Sequence, residues 1–432
     1  MNKNNKEKKS TKVGKNEGIF VLRGFPDMLP KDSPVWKDIW KAGNSVAELH
    51  GFHCANTPAV ENVAFFEKVF GRDRKFSTKH WYVFKAGSRE HLVLRPSGLF
   101  GIIRSYVNHH LGYFASPLKT FFYGSSFIKE PWYAHEVAGE SREWGFSVIG
   151  DNDPVYDIEI IGTVLSFLKT LKIRKTILKI NTNGCRTCRG AYREKIRSFY
   201  GKEKQNLCKQ CLRSGDYVSF LACAEEKCAG VRQQAPLVLD YLCQNCNNHF
   251  KTLLELLEEE GILYELDPHL IREGDVWNRL VFSVHAPTGQ LLAMGGRFDY
   301  LFETVGGRQV PAVGNVIFLD RVVEFLKTLS GERKEKPKIF FIAIGDHAKK
   351  ASVRLIGMLR DAGVVSIETL GKKSLKMQMK SAERMKVPLT LLLGQKEAFD
   401  GTVIIRDMRT SAQETVVAEH MVEVVKKKLK EE

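Results

Sequence analysis

Residues 123–150 read YGSSFIKEPWYAHEVAGESREWGFSVIG, and the fold turns on how they are parsed. FFYGSSF (121–127) is apolar and aromatic, as strands are. EPWYAHEVAGESRE (130–143) holds a proline, a glycine and several charges and reads as a loop. WGFSVIG (144–150) is a second strand, closed by the turn signal DNDP (151–154). The expectation is a strand pair whose long charged loop presents polar groups to a phosphorylated ligand. An ordinary surface hairpin is the plainer alternative, and the flanking sequence decides between them.

The chain has 432 residues, 43% hydrophobic and 27% charged, enough for two or three domains with sizeable cores. No apolar run reaches the ~18 residues of a membrane helix, which predicts no membrane partner. The start, MNKNNKEKKSTKVGK, has lysines at 3, 6, 8, 9, 12 and 15 and lacks the apolar core of a secretory signal. Residues 1–17 therefore read as a basic disordered tail, and the chain as cytoplasmic. The 66 basic against 50 acidic side chains leave a net charge of +16. That excess favours a polyanionic partner, because each phosphate neutralised releases condensed counterions. A generally basic solubility surface is the competing explanation.

Upstream of the strand pair, Asp32-Ser33-Pro34 starts a helix in which Trp36, Ile39, Trp40, Ala42 and Val46 recur at helical spacing. Gly51 ends it, and a strand runs into Thr57-Pro58. Residues 80–110 then give a hairpin, the strand LVLRP and a further helix. Helices backing an antiparallel sheet make the class α+β. Eight of nine cysteines fall between 185 and 246 as four close pairs: Cys185/Cys188, Cys208/Cys211, Cys223/Cys228 and Cys243/Cys246. Two thiolates two residues apart reach one tetrahedral Zn²⁺, and two pairs complete a four-sulfur site. The expectation is one or two structural zincs within a Cys-rich insertion (181–250), with the pairing open. Reduced, unligated thiols are the alternative. After a charged linker (331–336), strands and helices alternate from 337 to 432 as a compact α/β module, with a Lys-rich helix at the end.

Several motifs in order resemble the histidyl-tRNA synthetase family, a branch of the class II aminoacyl-tRNA synthetases. RGFPDMLPKDSP (23–34) is similar to RGTxDxLPxDSP, LVLRPSG to ALRPEGT, and GDNDPVYDIEII (150–161) to GSDDPxxDAEVI. DPHLIREGDVWNRLVFS (267–283) resembles DPxLVRGLDYYTRTVFE. Residues 294–321, MGGRFDYLFETVGGRQVPAVGNVIFLDR, resemble GGGRYDxLVExLGGxxxPAVGFAxGLER. Thr57-Pro58 sits where the family carries the proline of its dimer interface, which implies a homodimer. The module at 337–432 resembles the family's anticodon-binding domain, and residues 18–180 with 251–330 its catalytic core, interrupted by the insertion. Similar paired cysteines occur in the insertion of some bacterial members.

The resemblance implies site residues. Arg272 stands at the arginine beside the α-phosphate and the histidine carboxylate, and is the catalytic candidate. Glu130, Arg321 and Arg95 stand at ATP-binding positions. Ser97, Glu143, Ser147 and Trp277 occupy the amino-acid pocket. The departures are heavier than the matches. Ile128 replaces the motif 2 arginine, Ser97 a glutamate, Leu99 a threonine, Glu143 a glutamine, Ser147 a glutamate, and Val276 and Trp277 two tyrosines; Asp320 replaces a glutamate conservatively. A transition state deprived of one preorganised charged contact typically loses about 2.7–4 kcal/mol. The expectation is thus a family member that binds tRNA or related RNA with catalysis impaired. The alternative is a working histidine–tRNA ligase using ATP and Mg²⁺, with Lys129 or Arg142 in the arginine's stead. A regulator resembling the regulatory subunit of ATP phosphoribosyltransferase is the third reading, disfavoured by the C-terminal domain.

Overall fold

The computed structural model describes residues 20–72, 74–87, 90–113, 116–131, 137–214, 217–221, 223, 225–272, 276–306, 308–330, 339–371 and 374–430. The expected tail (1–17) and linker (331–336) lie outside the described residues. The chain divides into two compact units, Met1–Glu332 and Arg333–Glu432.

The first unit is built on an eight-stranded sheet. Its strands are β1 (His53–Cys54), β2 (Leu118–Ile128), β3 (Gly139–Ile149), β4 (Ile177–Thr182), β5 (Glu265–Leu266), β6 (Asn278–His285), β7 (Leu291–Arg297) and β8 (Ala312–Phe318). Their order is β1-β2-β3-β8-β7-β6-β4-β5, antiparallel except for the two short edge pairings β1/β2 and β4/β5. The α+β expectation stands.

The strand pair at the centre is longer than its composition suggested. β2 and β3 pair without interruption from Leu118↔Ile149 to Ile128↔Gly139. GESRE (139–143) is therefore strand, not loop, and the connection shrinks to residues 129–138. Tertiary partners override the loop-like composition. Ser125 hydrogen-bonds to Glu140, and Arg142 is ion-paired with Asp320 at 2.8 Å.

Period-two alternation in β3 sets up the two faces. Trp144, Phe146 and Val148 point into one core, walled by α1 (Ser33–Leu49), α2 (Val155–Thr170), α3 (Gln244–Glu259) and α4 (Leu319–Ser330). Trp144 is sandwiched between Phe121 and Tyr123, with ring centroids 5.3 Å away on each side. It also explains Gly43 in the middle of α1: a Cβ there would lie 2.5 Å from the indole. On the opposite face Phe122, Val281, Phe298, Val316 and Phe318 meet the helix Gly98–Asn108. A separate three-stranded sheet (Val60–Asn62, Val83–Ala86, Glu90–Leu94) stands beside that helix.

The second unit confirms the alternating reading. A five-stranded sheet runs Ser366–Glu368, Ile339–Ala343, Leu389–Leu393, Thr402–Asp407, Gln413–Val417, its first three strands parallel and its last two antiparallel. Helices Asp346–Asp361, Leu375–Met385, Gln395–Asp400 and Met421–Lys430 accompany it. No helix among the described residues is long and apolar enough to cross a membrane.

Candidate functional site

A cavity of about 620 Å³ opens on the face of the sheet away from the four helices. β3 contributes Ser141 and Glu143, β6 Ser283 and His285, β7 Leu291 and Met294, and β8 Val316 and Phe318. Ser97, Leu99 and Phe100 wall one side, and residues 269–272 with Trp277 the other. Of the residues expected from sequence, Arg272, Arg321, Ser97, Glu143 and Trp277 converge here, as does Ile128.

Glu143 is the most unusual of them. Its carboxylate is 4% exposed and accepts hydrogen bonds from Ser97 Oγ at 2.9 Å and Gly98 N–H at 3.3 Å. Burial pushes its pKa up to about 7; the Ser126 and Ser97 hydroxyls, the Gly98 N–H and nearby Arg95 only partly counter this. The family pattern quoted above has glutamate at the position of Ser97; here the acid stands at Glu143 and accepts a hydrogen bond from Ser97.

This buried acid carries a stability consequence. With its folded-state pKa raised above the ordinary 4.5, Glu143 holds a proton that the unfolded chain has already released between about pH 4.5 and 7. Stability therefore falls over that interval and stays lower above it. Glu143→Gln removes the titration and keeps an acceptor for Ser97 and Gly98. Relative to the parent it is expected to gain up to roughly 3 kcal/mol at pH 8 and nothing near pH 4.5, read from urea midpoints at both values.

The arginines are held by their surroundings. Arg272 exchanges hydrogen bonds with Asn183 through its backbone, N–H to Oδ1 at 3.2 Å and carbonyl from Nδ2 at 2.8 Å. Its guanidinium lies over the Trp277 ring at 5.6 Å. Arg321 lies over the Phe318 ring at 4.7 Å, and burial lowers its pKa. Three expected residues do not line the cavity. Arg95 is buried and clamps backbone, donating to the carbonyls of Ser125 at 2.8 Å and Thr57 at 2.7 Å. Ser147 is fully buried further along the Glu143 face of β3. Glu130 is exposed at the end of β2, its carbonyl held by the His80 ring at 2.9 Å. The suggested substitutes for the missing arginine are engaged elsewhere. Lys129 donates to Thr78 O at 2.9 Å, while Arg142 is bound to Asp320 and to Pro26 O at 3.0 Å.

Sequence reasoning passed over Met294 and Phe318. Both line the cavity, and both stand where the family pattern quoted above has glycine, so the signal was available. It also missed Asp267, His269 and His285, whose positions along the chain gave no such signal. Burial lowers the pKa of both histidines.

The cysteines resolve into two groups, Cys185/Cys188/Cys243/Cys246 and Cys208/Cys211/Cys223/Cys228. Sγ–Sγ separations of 3.4, 3.7 and 3.8 Å in the first and 3.9 Å twice in the second exclude disulfides. They match the edge of about 3.8 Å that four thiolates around a tetrahedral zinc at ~2.3 Å would make. Either group can hold a metal ion. The first is tied to the cavity: Asn183 beside it holds Arg272, and buried Arg189 donates to Trp277 O at 2.8 Å. The second reaches the cavity directly through Cys223, with Leu221 and Arg232 alongside. Its cysteines pack with Tyr192, Ile196, Tyr200 and Phe220 in a small core.

Known proteins resemble the chain over most of its length. Residues 24–322 match the family described as histidyl-tRNA synthetase, and residues 338–428 the anticodon binding domain. The chain is 30% identical to a histidine–tRNA ligase of Dehalococcoides mccartyi over 94% of its length and 99% of that protein. A histidine–tRNA ligase of Natranaerobius thermophilus is also 30% identical, over 90% of this chain and 94% of the relative. The apo histidyl-tRNA synthetase of S. aureus superposes with a TM-score of 0.76 at 24% identity, over 95% of this chain and all of that one, and so shares the fold. The chain belongs to the histidyl-tRNA synthetase family.

Proposed function

We propose that this protein binds tRNA or a related RNA and does not form an aminoacyl-adenylate. The observation that carries the reading is the apolar character of the cavity where ATP chemistry needs charge and room. Ile128 lines it in place of the motif 2 arginine, and Lys129 and Arg142 are committed to other partners. Phe318 and Met294 add large side chains at two glycine positions, where a family ligand can approach the backbone closely. The missing charged contact alone is worth roughly 10²–10³ in rate, and the lost room adds to it.

RNA affinity rests on the C-terminal unit, which carries about half of the chain's excess positive charge in under a quarter of its length. Two structural zincs in the four-cysteine groups fold the insertion, which carries basic side chains of its own. A homodimer about the segment near Thr57-Pro58 and a cytoplasmic setting complete the reading. Filter binding with unfractionated tRNA tests it. Saturable binding that weakens at least ten-fold between 50 and 200 mM salt is expected, and tighter than to poly(U) of equal length. Equal affinity for poly(U) would leave only a basic surface and contradict specific RNA recognition.

An active ligase is the second reading. It is favoured by Arg272 and Arg321 both lining the cavity and by the carboxylate kept at Glu143. It requires ATP and Mg²⁺ to enter despite Phe318.

A further inference from the structure

The cavity carries one buried acid, arginines on other walls and a wide apolar lining. Glu143 lines it from β3, its carboxylate accepting from the Ser97 and Ser126 hydroxyls and the Gly98 N–H. Such a group is costly to bury and is best satisfied by a cation brought in by a ligand. Arg272 lines the wall formed by residues 269–272, aimed across the Trp277 ring. Phe70, Trp81, Leu99, Phe100 and Leu270 give the cavity a broad apolar and aromatic lining, alongside the hydroxyls of Ser126, Ser141 and Ser283. Ser147, which stands where the family has a glutamate, is fully buried outside the cavity.

We propose that the cavity is a binding site for a free α-amino acid with an apolar or aromatic side chain, in place of histidine. Glu143 takes the ammonium, Arg272 the carboxylate, and the Phe70–Trp81–Leu99–Phe100 surface the side chain. A volume of about 620 Å³ is ample for such a ligand. Histidine is disfavoured because Ser147 replaces the family's glutamate and lies outside the cavity, which withdraws a charged partner from an imidazole, and sites discriminate strongly when such a contact is lost. The inference rests on the non-catalytic reading in one respect: binding needs no ATP.

The acid's environment also sets a pH dependence. The titratable and charged groups around it are Arg95 behind it and Arg272, Arg321, Arg232, Lys179, Asp267, His269, His285 and Cys223 in the cavity. Both histidines have lowered pKa values, and Asp267 lies 3.7 Å from Lys179. Only Glu143 is placed to change charge near pH 7. Ammonium binding requires its ionised form, so affinity falls about ten-fold for each pH unit below 7 and is flat above.

The test is isothermal titration of the full chain, without ATP, with L-phenylalanine, L-leucine, L-histidine, phenethylamine and hydrocinnamate. Saturable binding of phenylalanine or leucine is expected, at least ten-fold tighter than histidine. The two analogues lacking carboxylate or amine should each bind more weakly than phenylalanine. Glu143→Gln should lose the binding, and the pH profile checks the same contact in the parent protein. Histidine binding as tightly as the apolar amino acids, no amino acid binding at all, or an affinity unchanged from pH 5.5 to 8 would overturn the proposal. Pyrophosphate exchange with the bound amino acid separates the two claims. Binding with exchange would sustain the ligand and sink the non-catalytic reading, whereas neither binding nor exchange would do the reverse.

Discussion

Arg297→Ala is expected to destroy the core fold of the first unit. The guanidinium has no exposed surface and is paired with Asp157 at 2.8 Å and Asp299 at 3.2 Å, with Asp151 O accepting a further bond at 2.8 Å. Asp299 in turn accepts from Asn278 Nδ2 at 2.6 Å and Ala312 N–H at 2.8 Å, so the cluster joins β6, β7, β8 and α2. Removing the cation leaves two buried carboxylates uncompensated, a loss of about 3–5 kcal/mol from a total that is typically ~5–15. His249, 3.3 Å from Asp157, contributes no charge in the parent, where burial and the Arg297 and Arg279 charges drive its pKa down to about 3. Burial already raises Asp157 to about 6 with the arginine in place. Urea unfolding should show at least 3 kcal/mol lost, or no soluble protein. A loss under about 1 kcal/mol would contradict the role assigned to this cluster.

Cys246→Ser is the second large effect. Purified parent protein is expected to carry two zinc ions per chain by elemental analysis, and the variant one. A serine hydroxyl in place of a thiolate breaks a closed four-sulfur site, and structural zinc contributes about 10–16 kcal/mol to folding its ligands. Because Asn183 and Arg189 link the first cysteine group to Arg272 and Trp277, the damage should spread. Hydrogen exchange should speed up both in the insertion and in the segment around residues 270–277, and leave residues 339–430 unchanged. Metal-free parent protein of full stability, or a variant with unaltered exchange, would contradict a structural metal.

Much of this architecture was legible in the chain itself. The apolar strands and amphipathic helices of the C-terminal unit stand where alternation and helical spacing put them, because each element buries its own periodic face. The cysteine spacing named the candidate ligands, but not their grouping: that depends on how α3 and residues 186–202 bring distant pairs together, which no local pattern encodes. The segment 139–143 was misread as loop because its charges are satisfied across the sheet, by Asp320 and Ser125, rather than by solvent. The transfer of the acid from position 97 to 143 was visible as two substitutions. That the two side chains touch emerges only when Ser97 Oγ is seen 2.9 Å from the carboxylate. Arg95 matched an ATP-binding position, yet its Nε and Nη1 donate to the backbone of Ser125 and Thr57.

ATP–pyrophosphate exchange with the purified full-length protein tests the central claim most directly. The assay is run with Mg²⁺ and each of the twenty amino acids, at concentrations where a working relative exchanges freely. With Ile128 at the phosphate-binding position and Phe318 packed on Arg321, exchange is expected at background for all twenty. Histidine-dependent exchange well above background would contradict the account, and would make this protein a ligase with a rebuilt motif 2.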